Sequence, residues 1–519
     1  MKSKPGITKT KSNIQNYLIG IDVGTSAIKI SIIDLKGNLI YSNAKEYEIN
    51  FLQNGFVRQN PDDWYESLVY LLRDSLSQLD FEKSKVLAIG ISSQSNALVS
   101  VNKNGDVLYP AILYLDKRAL DICNSFKDTK EGERIYELGG STLRSSYTGP
   151  QISWIKKNEP DIYRKTYKFL TANGFIVQKL TGEYSQDYTQ TGMTGIFDRE
   201  KGEWSEELLS YFGINKNKMP RIYKPSEIVG KTSKNFKKDS GLPYGIPVIA
   251  GTLDVASTMF GSGCIDIGYC FIEMGSVINI TVLTDKLVHD RNLQTYPSVV
   301  PATYIVAGSV DGAGSTIKWF LNQVYKGYGL DENISDEMIF GILEKEIQKT
   351  KIGSGNLVFL PFMAGMRTPR SDLNTKGALL GLKVSTRKID IFRSILEGCS
   401  YGLKYNLEFI LAKGIDFKKA IVSGGASKNK FWVQMISDNL NISITRSYYD
   451  SGASIGSAML AGIGVGAFDD FKQAKGVVCK YDLDFKPAKE RKTKYDKYYS
   501  QYKIFIKELI LELHNLECI

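Results

Sequence analysis

The sequence predicts an α/β protein built from two similar halves, and three observations carry this. The chain has 519 residues, which suits two domains of about 250 residues each. Strand-like runs alternate with amphipathic helical stretches throughout. Finally, the opening pattern restarts halfway. Residues 18–33 read as two strands around the turn Val23-Gly24-Thr25-Ser26, and residues 269–283 read as two strands around Gly275-Ser276. The second hairpin echoes the first without its aspartate, Asp22. Two halves that each open on such a hairpin suggest a duplicated fold with nucleotide held between them.

Asp22 sits where a strand delivers a carboxylate to a glycine turn. Gly24 lets backbone approach a ligand, the Thr25 and Ser26 hydroxyls can hold phosphate oxygens, and the carboxylate suits a Mg²⁺–phosphate site. A hairpin with a buried acid at its turn is the alternative. Next comes a helix over residues 60–79: Asn60 can cap it, Pro61 suits its first turn, and Trp64, Leu68, Leu71, Leu72, Leu76 and Leu79 recur at helical spacing. A strand over 86–91 runs into Ser92-Ser93-Gln94-Ser95-Asn96, a polar cluster at a strand's carboxyl end, where open α/β sheets place ligands. Another strand end leads to Asp116, Lys117 and Arg118. Both clusters read as turn chemistry or as a site for a small polyhydroxylated molecule.

Helices are expected over 150–158, 172–180 and 204–212, a loop over 187–197, and a polar surface excursion over 224–247. The strand 248–250 then reaches Gly251-Thr252-Leu253-Asp254, ahead of a helix over 255–260. Asp254 is placed either to take a proton from a substrate hydroxyl or to cap that helix. Beyond the second hairpin, Gly312 opens a helix, a loop spans 364–372, and a long helix spans 390–412. Ser423-Gly424-Gly425-Ala426-Ser427 opens a helix over 428–440, a turn suited to phosphate or a flat base. A small-residue helix follows over 451–464, and a terminal helix over 495–516.

Composition narrows the function. Only two histidines are present, His289 and His514, so Ser-His-Asp and Cys-His catalysis and His-rich metal sites have little to work with. Carboxylates and backbone amides should carry any chemistry. The six cysteines are scattered without CxxC pairs, which fits a reducing cytosol and a cytoplasmic protein. The net charge of +10 is mostly scattered lysine. It comes without zinc-finger spacing or an aromatic RNA-binding signature, so no nucleic-acid partner is expected. No apolar run is long enough for a membrane span, and residues 1–16 read as a polar tail rather than a signal peptide. There is no GxxxxGK[ST] loop and no strand-linked GxGxxG, so nucleotide binding is of another kind.

Taken in order, these motifs resemble the FGGY family of carbohydrate kinases, within the actin, hexokinase and heat-shock ATPase superfamily. The likeness runs over nearly the whole chain from Tyr17. Residues 146–158 follow the family's first signature with Trp154 in place and Gln151 where lysine is usual. Residues 377–397, GALLGLKVSTRKIDIFRSILE, fit the second. SGGASKN at 423–429 resembles the adenosine motif, MGSVINI at 274–280 the second phosphate loop, and the Asp22 turn the first.

The resemblance implies two actin-like, ribonuclease H-like domains with mixed sheets around a central cleft. The sugar-binding domain would span 17–262 and the ATP-binding domain 263–519. It implies ATP and Mg²⁺, Asp254 as general base, and Asp22 on Mg²⁺ through water. Gly24, Thr25, Ser26, Gly275, Ser276 and Gly312 would face the phosphates, and Gly424, Gly425, Ala426 and Asn429 the adenosine. Gln94, Ser95, Asn96, Asp116 and Arg118 would face a small sugar or polyol. The assembly is left open, a homodimer included.

Spacing is most like the xylulokinase branch, in GFVRQNPDDWYESL, PAILYLDKR and FLPFMAGMRTPRSD. Departures from that branch fall at six positions. Gln94-Ser95-Asn96-Ala97 stands for Gln-Met-His-Gly, Val255 for asparagine, Tyr114 for tryptophan, and Met366 for glutamate. A pentulose such as D-xylulose is the first expectation. Another ketose, a polyol, gluconate, autoinducer-2 or a non-catalytic sugar sensor stay open.

Overall fold

The computed structural model describes residues 16–79, 83–325, 336–372, 374–449 and 452–516. Of the expected tail, all but Asn16 lies outside the described residues.

Two seven-stranded mixed sheets form the frame. The first contains β1 (Tyr17–Val23), β2 (Ala27–Asp34), β3 (Leu39–Glu46), β4 (Val86–Ser93), β5 (Ile228–Lys231) and β6 (Pro247–Ile249), in the order β5-β6-β4-β1-β2-β3, with Thr252–Leu253 also beside β4. Strand alternation sends Ile19, Ile21 and Val23 to one face. There they pack with Trp64, Leu68 and Leu72 of α1 (Pro61–Gln78) and Phe175 and Ile176 of α2 (Ala172–Thr181). Asn60 caps α1, its side chain accepting from the Asp62 N–H. A five-stranded sheet beside this layer carries Val107–Ile112, which leads towards Tyr114. Helix α3 (Asp254–Gly261) closes the first half.

The second sheet contains β7 (Tyr269–Met274), β8 (Ile278–Thr284), β9 (Gln294–Pro297), β10 (Tyr304–Val310), β11 (Lys419–Ser423), β12 (Ile444–Ser447) and β13 (Tyr481–Phe485), ordered β9-β10-β8-β7-β11-β12-β13. From β10 to β13 it repeats β3-β2-β1-β4-β6-β5 strand for strand. The β7–β8, β8–β10 and β12–β13 pairs are antiparallel, and β7–β11 and β11–β12 parallel, as in the first sheet. Strand β9 has no counterpart there. Helices α4 (Ala313–Phe320), α5 (Lys388–Leu411), α6 (Lys430–Leu440) and the terminal α8 (Lys489–Asn515) share the outer core with Cys270, Ile272 and Met274. Between α6 and α8 in the chain lies α7 (Gly452–Gly464).

Helix α7 belongs by sequence to the second half but lies on β1 and β4 of the first sheet, beside α3. Small residues make the seat. A Cβ on Gly20 would fall 1.7 Å from the Ser454 carbonyl, one on Gly90 1.9 Å from that of Ser457, and one on Gly456 2.0 Å from that of Ser257. Serine hydroxyls bridge the contact, Ser31 to Ser454 at 2.7 Å and Ser257 to Ser457 at 3.0 Å. Around this seat one apolar cluster draws on both halves: Leu18 and Ile33, Phe260 of α3, Ile455 of α7, and Phe271 and Ile421 of the second sheet.

Three expectations differ from the structure. Residues 224–247 are no surface excursion, because they contain edge strand β5 and the helix Lys234–Ser240, whose Phe236 is fully buried. The lysines there occupy the solvent face and mask the pattern. Trp204 is not helical. It pairs with Phe197 in a two-stranded ribbon, and Ser205 caps the helix Glu206–Tyr211. The expected loop at 187–197 is largely a 3₁₀ turn, Tyr188–Met193.

Gly20→Ala should lower the unfolding free energy by about 1–3 kcal/mol through overpacking. Gly476→Ala, at a helical position with no atom within 4 Å, should raise it by roughly 0.5–1 kcal/mol. Chemical denaturation of the two variants tests the seat.

Candidate active site

The strand alternation that builds the cores also places the acids. On β1, Leu18, Gly20 and Asp22 face the other half. Asp22 stands across from Lys29 on β2 and Ser92 on β4, and the Ser92 hydroxyl donates to its carboxylate at 2.9 Å. On β7, Phe271 and Glu273 face the same way, and Glu273 stands across from Asn279 on β8 and Ser423 on β11. Asn279 Nδ2 donates to Glu273 Oε2 at 3.2 Å. Asp-Val-Gly-Thr and Glu-Met-Gly-Ser are thus equivalent stretches. The second hairpin lacks the aspartate, as expected, but carries a carboxylate one methylene longer at the equivalent place, Glu273, which the sequence reading did not mark.

The two inward faces diverge above the shared apolar cluster and leave a cavity of about 300 Å³. Asp254 reaches it as the first residue of α3, so it is not the cap, which is Leu253. Its Oδ1 accepts from the Val255 N–H at 2.7 Å. Asp254 lines the cavity and is only partly exposed to solvent. Burial raises its pKa to about 8, the charges of Asp22 and then Glu273 add to the rise, and the Val255 bond opposes it. Asp22 is raised to about 6 by burial, against the Ser92 bond and Lys29. Such a buried, like-charged carboxylate is the environment of a general base tuned towards neutrality.

Of the residues marked in the sequence, Asp22, Thr25, Ser95, Asp254 and Gly424 line this cavity, with Tyr114. Gln94, Asn96, Asp116 and Arg118 do not. Gln94 is buried, donates to Gln59 Oε1 at 3.2 Å, and so braces the first turn, since Gln59 in turn donates to the Thr25 carbonyl at 2.8 Å. Asn96 is buried with a left-handed backbone at φ 50°. Asp116 and Arg118 close on each other at 2.8 and 2.9 Å. The guanidinium lies over the rings of Phe56 and Trp154, and Asp116 also accepts from the Val57 N–H. This pair shapes the wall from behind.

The glycine segments of the second half meet beside the cavity. A Cβ on Gly314 would fall 2.3 Å from the Gly275 carbonyl, and Ser315 N–H bonds the Ser276 carbonyl at 3.2 Å. Gly424, at φ 96°, presses on the backbone of Met274, where a Cβ would lie 2.6 Å from the carbonyl. Gly312, at φ 91°, turns the chain into α4. Gly425 has open space where a Cβ would point. Ala426 lies in a short 3₁₀ turn, and Asn429 caps α6, accepting from the Trp432 N–H at 2.9 Å. In the first half the Gly24 N–H is committed to the Ala27 carbonyl at 3.0 Å, and Ser26 is exposed.

Reading the sequence missed Glu273, Asn279, Thr281, Gln294, Tyr296 and Arg367, all of which line the cavity. Aligning the two hairpins residue by residue finds Glu273. Arg367, ion-paired with buried Asp311 at 3.0 Å, lies in a stretch already marked. Gln294 and Tyr296 sit on the strand that the duplication lacks and carry no sequence signal.

A sugar kinase on an actin-like frame is the class this cleft defines, and comparison with known proteins identifies it. The chain belongs to the FGGY family of carbohydrate kinases. The family's N-terminal domain matches residues 17–261 and its C-terminal domain residues 275–465. The chain is 29% identical over 497 residues to a xylulose kinase of Staphylococcus epidermidis, covering 95% of this chain and 97% of that one. The fold matches the xylulose kinase of Rhodospirillum rubrum (TM-score 0.88, 20% identity, 96% and 100% covered) and the gluconate kinase of Lactobacillus acidophilus (TM-score 0.86, 22% identity, 96% and 98% covered). The protein is a carbohydrate kinase, and kinases of this family use ATP.

Asp254 has a pKa above its unfolded value, so its charged form opposes folding. That cost is absent below about pH 4, grows as pH rises towards 8, and is full above it. Asp254→Asn should therefore raise the melting temperature by about 1–3 °C at pH 9 and by almost nothing at pH 4. Calorimetry at the two pH values checks this.

Proposed function

We propose that the protein transfers the γ-phosphoryl group of Mg-ATP to a hydroxyl of a small neutral carbohydrate, a pentulose such as D-xylulose first. Asp254 is the general base. The observation that carries this reading is Asp254 itself, lining the cavity beside Asp22 and Glu273 with a pKa raised to about 8. Phosphoryl transfer asks mainly for positioning and charge stabilisation. The acceptor lies between Asp254, Tyr114 and Ser95 of the first half and the polar face of β8 and β9. ATP lies over the glycine backbones of the second half, with Thr25, Gly275 and Ser276 near its phosphates and Gly424 and Gly425 near adenosine.

No group of three or more His, Cys, Asp or Glu among the described residues is arranged to hold a metal by itself. Mg²⁺ is commonly held by one or two carboxylates together with substrate phosphates, and Asp22, through water, fits that pattern. When bound, the cation neutralises phosphate charge and lowers the pKa of nearby carboxylates. Asp254 then accepts the acceptor's hydroxyl proton as that oxygen attacks, and the lobes shield the reaction from water. Sugar binding is assigned mainly to residues 17–262, completed by β8 and β9 of the second half, and nucleotide binding mainly to 263–519, with Thr25 contributed by the first.

Charge supports a neutral acceptor. Three carboxylates line the cavity, Asp22, Asp254 and Glu273. Of the two cations there, Lys29 faces Asp22 and Arg367 is committed to Asp311. An aldonate carboxylate would meet like charge. The likeness to xylulose kinases over 95% of the chain favours a pentulose. The five described cysteines are unpaired, which supports a reducing cytoplasm.

ADP release with Mg-ATP across pentuloses, hexuloses, polyols and aldonates tests this. A neutral ketose or polyol should give turnover, and Asp254→Asn should lower it about 10²–10⁴-fold with ATP binding retained. Turnover confined to aldonates would refute the neutral acceptor, and full activity in Asp254→Asn would refute the base.

A further inference from the structure

Strand β9 is the one strand of the second sheet without a partner in the duplication, and it forms a wall of the cavity. Its pairing with β10 sets Gln294 against Ala307 and Tyr296 against Ile305. By alternation Gln294 and Tyr296 share a face, and both line the cavity with Asp254, Thr281 and Asn279. The Gln294 side chain makes no hydrogen bond with protein among the described residues, so both its donors and its acceptor are available to a ligand. A neutral amide that donates and accepts at once matches a sugar hydroxyl, which does the same.

The strand is tied to the opposite half by a buried cation. Arg199 is 4% exposed. Its Nη2 donates to the Gly192 carbonyl at 3.2 Å and to the Thr295 carbonyl, the residue between Gln294 and Tyr296. Its Nε and Nη1 have no hydrogen-bond partner, and no acid among the described residues pairs with it. Gly192 packs on β9, where a Cβ would lie 3.0 Å from Pro297. A half-satisfied buried guanidinium is costly, and what it does here is hold β9 against the first half.

We infer that Gln294 is a specificity-determining residue that reads an acceptor hydroxyl away from the one phosphorylated, and that Arg199 is the positioning residue for its strand. This rests on the assignment of the Asp254 cavity as the acceptor site.

The test is steady-state kinetics of the full chain on the best acceptor and on its set of monodeoxy analogues. Gln294→Leu should lower kcat/KM for the parent acceptor about 10- to 100-fold, mainly through KM, with KM for ATP unchanged. It should cost nothing on the one deoxy analogue that lacks the hydroxyl being read. Gln294→Glu, which keeps the shape and loses the donor, should fall in the same direction. Arg199→Lys should raise the acceptor KM and blunt discrimination among the deoxy analogues. An equal loss on parent and every deoxy analogue, or no loss, overturns the proposal while the kinase assignment stands. A wild-type protein that binds ATP but phosphorylates no carbohydrate overturns both.

Discussion

The contact on which the rest depends is the seat of α7 on β1 and β4. Backbone meets backbone there because Gly20, Gly90 and Gly456 carry no side chain. The approach buries serine hydroxyls in pairs and leaves little room for adjustment. It fuses the two halves at the base and forces their sheet faces to diverge above it. The cleft follows from that divergence. Beyond the apolar residues of the shared cluster, the same strand faces carry Asp22, past Gly20, and Glu273.

Duplication then explains the electrostatics. Each half contributes a carboxylate at the same place on its first strand, and the fold brings both towards Asp254. Desolvation first, and then the charges of Asp22 and Glu273, raise the pKa of Asp254 to about 8. Asp22, Glu273 and Asp254 together concentrate negative charge in the cleft. In the proposed function, the same surplus disfavours anionic acceptors. In this cleft one arrangement of charge bears on both the chemistry and the class of substrate.

Departures from the symmetry carry the particular features. Strand β9 has no twin, and neither does the five-stranded sheet beside α1, which leads to Tyr114. Strand β9 lines the cavity with Gln294 and Tyr296, and the segment after the five-stranded sheet lines it with Tyr114. The Asp116–Arg118 pair behaves differently from a ligand contact. Its members bond to each other and to neighbouring protein groups, the Val57 N–H and the Tyr109 hydroxyl, rather than into the cavity.

Much of this was legible in one dimension. Alternation in residues 17–34 and 269–284, the cap and apolar spacing of α1, and the small residues of α7 determined the elements. Order and motif content marked Asp22 and Asp254, which the fold brings to one cavity, because strand ends and glycine turns are local features. What pointed inward was decided elsewhere. Gln94, Asp116 and Arg118 carry the same local marks as Ser95, yet only packing determined that they bond to protein while Ser95 meets the cavity. Gln294 carries no mark at all, since an edge strand's facing depends on the partner it pairs with. Sequence periodicity sets which residues share a face. Only the tertiary contact of distant segments, α7 on β1 and Arg199 on β9, decides what that face sees.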